Sequence, residues 1–127
     1  MWVFSKIGFF SIVQKPWDVQ HDTLTVRARC RDDLVELRKR LPGASKIKTS
    51  KTADYKWRVT VRRAAFADLM RRLALEIDYG NFKSMVMKEH GLERERLYAR
   101  VWTVMLELQE PRQMRRWGEP SGMWPAE

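Results

Sequence analysis

Hydrophobic and polar positions alternate most cleanly over residues 23–31. Leu24, Val26, Ala28 and Cys30 interleave with Thr25, Arg27, Arg29 and Arg31, which predicts a half-buried strand. Residues 55–62 repeat the pattern. Tyr55, Trp57, Val59 and Val61 fall on one side, and Lys56, Arg58, Thr60 and Arg62 on the other. Trp2–Gln14 is aromatic and β-branched, predicting a first strand that stops at Lys15-Pro16, because proline cannot donate to a ladder. Gly8 inside that segment marks a bulge or a tight bend. Lys46–Ser50 is a short polar strand candidate.

Helical spacing takes over elsewhere. Asp32-Asp33 suits a helix N-terminus, where carboxylates meet free N–H groups. Leu34, Leu37 and Leu41 follow as an apolar stripe, and Pro42-Gly43 ends it. Ala64–Ile77 carries Phe66, Leu69, Met70, Leu73 and Ile77 at core spacing. Asp78–Asn81 reads as a turn with Gly80 at positive φ and Asn81 capping the next helix. A short helix is expected over Phe82–Glu89, with Phe82 in the core. The longest follows over Glu93–Gln109, its stripe formed by Leu97, Tyr98, Val101, Trp102, Met105 and Leu108.

This order predicts an α+β fold with an antiparallel sheet, helices on one face and extra C-terminal helices. A ferredoxin-like β-β-α-β-β-α order is the expected topology. With 127 residues, one domain is expected over residues 1–110, and the Pro, Gly and polar content of residues 111–127 reads as a flexible tail.

Four segments carry a resemblance: Gly8–Lys15 (GFFSIVQK), Leu24–Arg29 (LTVRAR), Asp54–Arg58 (DYKWR) and Asp78–Lys83 (DYGNFK). Together with Tyr98, Val101 and Trp102, this set resembles a small bacterial family of uncharacterised proteins. It covers about residues 1–109. The resemblance implies domain limits and attaches no activity.

Charge changes the picture. The net charge is +9, and residues 1–63 hold all of the excess, with 15 Lys/Arg against 6 Asp/Glu. Residues 64–127 balance, at 10 against 10. Excess charge confined to one half points to an anionic partner for that half. Nucleic acid comes first, with an acidic protein surface as the alternative. Lysine and arginine on strands also serve as edge protection, so solubility explains the same count.

The alternation turns the charge into a surface. If both clear strands share one sheet, Arg27, Arg29, Lys56, Arg58 and Arg62 lie on the face away from the helices and could neutralise several phosphates. Aromatics beside them would stack on bases. Phe9, Phe10 and Trp17 are the candidates, and periodicity leaves open which phenylalanine faces out. Lys6–Val13 faintly echoes the Lys-Gly-Phe pattern of RNA-recognition strands, while core packing explains the same phenylalanines. Tyr79 and Lys83 could form a recognition loop, though an Asx turn explains that segment. In the tail, Arg112, Arg115, Arg116, Trp117 and Trp124 suit a docking extension.

Catalysis finds no constellation. His21 and His90 lie in predicted connections, and a nucleophile needs a base and an orienting group in reach. Cys30, the single cysteine, is expected to be a buried, inert thiol. Asp32-Asp33 could hold a metal, but helix capping accounts for them. A non-enzyme without cofactor or metal is expected. With no disulfide framework and no apolar run near the roughly 20 residues that span a membrane, a cytoplasmic location is expected. The alternative function is a protein-interaction, accessory or inhibitor protein, by analogy with small proteins linked to phage defence or mobile elements. It could be homodimeric through an edge strand or the long C-terminal helix, with six Trp and seven Met as interface material.

Overall fold

The computed structural model describes residues 1–109; the arginines and tryptophans of the tail lie outside the described residues. Contacts divide the chain into two compact units. The first is Met1–Asp78 and the second begins at Tyr79.

The first unit is α+β. Its strands are β1 (Trp2–Ser5), β2 (Gly8–Val13), β3 (Thr23–Ala28), β4 (Lys48–Thr49) and β5 (Trp57–Arg62). Its helices are α1 (Arg31–Arg40) and α2 (Arg63–Leu75). The five strands form one sheet in the order β1-β2-β3-β5-β4, every pair antiparallel. The ferredoxin-like order is not confirmed, and the reason is local. The expected first strand is in fact a hairpin, turning between Ser5 and Gly8. Gly8 sits at φ +141°, backbone that L side chains rarely adopt.

The core lies between one sheet face and the two helices. Phe10, Ile12, Val26, Ala28, Val59 and Val61 project from the strands; Leu34, Leu37, Phe66, Leu69 and Leu73 answer from α1 and α2. Period 2 on the strands meets the helical stripes here. Burying such side chains stabilises by about 1.5–3 kcal/mol each. Phe10 is fully buried, which removes it from the candidate ligand-binding residues. Ile77, expected in the core of the second helix, is 57% exposed because α2 ends at Leu75.

Two carboxylates tie loops to this frame. Asp33, near the start of α1, accepts the Phe9 N–H at 3.0 Å and so anchors the β1–β2 turn. Asp18 closes a 3-10 turn, Pro16–Asp18. It accepts from the Lys15 N–H at 2.8 Å, Thr23 Oγ1 at 2.6 Å and Thr25 Oγ1 at 2.9 Å. Burial pushes the Asp18 carboxyl up. The bonds from Thr23, Lys15 and Thr25, with the charge of Arg63, outweigh burial and hold it below the usual aspartate range. Cys30, expected on the apolar side of a strand, lies beyond β3 and precedes α1, half-buried.

The second unit contains α3 (Phe82–His90) and α4 (Leu92–Met105), which pack on each other. Asn81 caps α3 by accepting the Ser84 N–H at 2.9 Å. Asn81→Ala is expected to cost about 1 kcal/mol, read as faster hydrogen exchange at the Ser84 amide. Gly80 is not at positive φ as expected; Gly91 is, at φ +95°, where α3 ends. Phe82, expected in the core, is half-buried and stacks on Tyr98 with ring centroids 6.1 Å apart. Of the expected α4 stripe only Tyr98 is buried. Leu97, Val101, Trp102, Met105 and Leu108 are exposed.

Candidate nucleic-acid interface

Strand parity decides what the opposite sheet face carries. Residues directly paired in an antiparallel ladder point the same way. Ser11 pairs with Arg27, Arg27 with Arg58 and Arg58 with Lys48. Trp2 pairs with Ser11 at the other end. One row therefore crosses the whole sheet: Trp2, Ser11, Arg27, Arg58, Lys48. Like charges directly opposite each other on a sheet destabilise it, and this row sets three side by side.

Nearby carboxylates do not relieve them. Elsewhere in the unit six cations are paired, while Lys15, Arg31, Arg38, Lys46 and Lys51 also have no ion pair among the described residues. Lys6 and Arg40 both meet Glu76, Arg71 and Arg72 share Asp68, Lys39 meets Glu36 and Arg63 meets Asp22. Arg27, Arg29, Lys48, Lys56, Arg58 and Arg62 form no ion pair among the described residues. These six cations thus lack ion-pair partners on this face, although the Asp18 carboxylate also lies there, held by Thr23 and Thr25.

The face is less bare than alternation suggests. Tyr55 was expected on the core side, but β5 begins only at Trp57, so parity does not reach it. Tyr55 is buried at 4% exposure on the basic face. The Arg27 guanidinium lies 4.6 Å and that of Arg29 4.3 Å from its ring centroid. Both guanidinium groups are within cation–π range of the one ring.

Further contacts hold these groups in place. Arg27 Nη2 donates to Ser11 Oγ at 2.7 Å, Arg29 Nη1 to the Asp54 carbonyl at 2.9 Å and Arg58 Nη2 to the Tyr55 carbonyl at 3.2 Å. The Nε atoms of Arg27 and Arg58 are buried without an acceptor among the described residues. Lys56 is exposed, its Nζ 5.0 Å from the Trp57 ring centroid. Arg62, exposed, sits at the far end of β5 opposite Thr23.

Aromatic rings occupy the other half of the face. Phe9 points here, half-buried, stacked on Phe4 with centroids 4.4 Å apart. Trp2 meets Phe9 edge to face at 6.0 Å and is 66% exposed. Trp17 is 55% exposed on the turn that Asp18 pins to Thr23 and Thr25. The structure therefore brings together Arg27, Arg29, Arg58 and Phe9 of the expected set, and adds Trp2, Ser11, Lys48 and Tyr55. Trp2 and Lys48 could have been found only with the hairpin register in hand. Tyr79 and Lys83, the alternative recognition loop, lie in the second unit. There Tyr79 is tilted against Phe82 at 6.2 Å and the Lys83 Nζ lies 5.0 Å from the Trp102 ring.

Chemically, the face offers fixed guanidinium donors for anionic oxygens and exposed rings for flat apolar groups. No group of three or more His, Cys, Asp or Glu that could hold a metal occurs among the described residues. No helix among them is long and apolar enough to cross a membrane. Comparison with protein-family models, curated proteins and solved structures returned no match.

Proposed function

We propose that the protein is a nucleic-acid-binding module that works through the sheet face opposite α1 and α2. The observation that carries this reading is the row Arg27–Arg58–Lys48, three in-register cations without a carboxylate partner among the described residues. A phosphate backbone supplies the missing charge, and guanidinium groups match it as bidentate donors. Arg29, Lys56 and Arg62 extend the charge around the row. Because Ser11 and Tyr55 already hold the two arginines, less side-chain freedom is lost on binding.

Salt titration tests it. Binding should weaken as salt rises, with the log–log slope set by the number of phosphates neutralised. In Arg27→Ala/Arg58→Ala the slope should fall by about 1.5 units, since each contact contributes roughly 0.7–0.9. Those arginines also brace Tyr55, so Lys48→Glu, at an exposed edge position, serves as the variant that leaves the fold intact. It should weaken binding and flatten the slope. Unchanged affinity and slope in both variants would falsify the proposal.

A second reading has its own support. Leu97, Val101, Val104 and Leu108 of α4 and the turn after it recur at spacings of four and three, and all are exposed. That periodicity suits a partner helix, so a protein-interaction role, homodimeric or with another chain, is the alternative.

A further inference from the structure

We infer that the ligand of the basic face is a single strand, lying across the β-strands from Lys48 towards Trp2 with one base stacked on the Trp2 indole. This inference rests on the nucleic-acid reading above and specifies its ligand.

The row dictates the direction. Trp2, Ser11, Arg27, Arg58 and Lys48 are paired neighbours on five consecutive strands. Adjacent strands lie about 4.8 Å apart, so the row spans roughly 19 Å. Its chemistry changes along its length: three cations lie on β3, β5 and β4, and the aromatic cluster Trp2–Phe4–Phe9 on β1 and β2. A phosphate backbone fits the first part. The second part asks for a flat apolar face.

A duplex cannot meet both demands. Its bases are already covered by their stacked neighbours, and their edges are read by elements that enter a groove. Neither α1 nor α2 stands on this face, because both pack on the other, and the short 3-10 turn Pro16–Asp18 lies over Thr23 and Thr25 at its side. A free strand exposes base faces, and stacking on aromatic side chains is how sequence-tolerant single-strand binders gain affinity. Trp2 suits the role. It is 66% exposed, and its edge-to-face contact with Phe9, itself stacked on Phe4, braces the ring. A row of this length suits about four nucleotides, the low end of single-strand site sizes.

The test uses the full chain with oligothymidylate, oligouridylate and a blunt duplex of matched nucleotide count, in wild type, Trp2→Ala and Trp2→Phe. Single strands should bind more tightly than the duplex. Trp2→Ala should weaken single-strand binding about tenfold and leave the salt slope unchanged, because stacking releases no counterions. Trp2→Phe should restore most of the loss. The thymidylate and uridylate arms identify DNA or RNA as the source, and preference for either supports the inference. Duplex binding equal to or tighter than single-strand binding, or an unaffected Trp2→Ala, overturns the single-strand inference while the basic face stands. Absence of binding to every oligonucleotide at low salt overturns the nucleic-acid reading itself.

Discussion

Gly8→Ala is expected to destabilise the first unit by about 3–5 kcal/mol, from strain, overlap and a lost hydrogen bond together. The backbone contributes first. Gly8 holds φ +141°, and a non-glycine residue in such a region costs about 1–3 kcal/mol. Space contributes next. A Cβ there would sit 2.6 Å from Asp33 Oδ2 and 2.7 Å from its Cβ. Asp33 belongs to α1, is 4% exposed, and cannot swing aside without surrendering the Phe9 N–H. Chemical denaturation should register the loss as a lower midpoint at unchanged m-value. Asp33→Ala alone should cost about 1 kcal/mol for the part-buried Phe9 amide that loses its acceptor. The double variant Gly8→Ala/Asp33→Ala should cost less than the sum, since removing the carboxylate removes most of the overlap. Strict additivity would show that the two residues do not meet as described.

Asp18→Ala should cost about 3 kcal/mol, because one buried carboxylate satisfies three donors from Lys15, Thr23 and Thr25. Asp18→Asn should cost less, since the amide oxygen still accepts while its NH2 faces other donors. The carboxyl titrates below its ordinary range in the folded protein. Its contribution is therefore fully present above the unfolded value of 3.8 and is lost as pH falls through the lower folded value. Glu76 and Asp68 are also held low, by their hydrogen bonds to Lys6 with Arg40 and to Arg71 with Arg72. Acid lability of the wild type alone thus cannot be assigned to Asp18. The difference in stability between wild type and Asp18→Asn isolates it. That difference should be constant above about pH 4 and close below it. A difference that persists unchanged in acid would remove Asp18 from this role.

Much of the sheet was legible in the sequence because strand parity is a local property. Leu24, Val26 and Ala28 against Thr25 and Arg27 placed β3 correctly, and Val59 and Val61 against Arg58 and Thr60 placed β5. Both helices over the core were legible from their leucine spacing. The hairpin at Ser5–Gly8 was not, because its turn residues Lys6 and Ile7 lack the Asn-Gly or Asp-Gly signature of a tight hairpin. Missing it hid the strand count and the place of Trp2. Tyr55 departs from the alternation because β5 begins only at Trp57. The roles of Asp18 and Asp33 depend on partners up to 24 residues away, and no local pattern encodes such a contact. On α4, helical spacing identified the apolar stripe but could not say whether anything covers it.

The two margins of the sheet differ, and this limits how it can grow. One ends in β4, two residues long with Lys48 exposed and Lys46 and Lys51 flanking it. A short, lysine-rich margin repels an incoming strand. The other margin is β1, four residues with Trp2 and Val3. An added strand, from a peptide or a second molecule, would meet less cationic repulsion at β1 than at β4. It would lengthen the aromatic half of the face and leave the cationic half its present width.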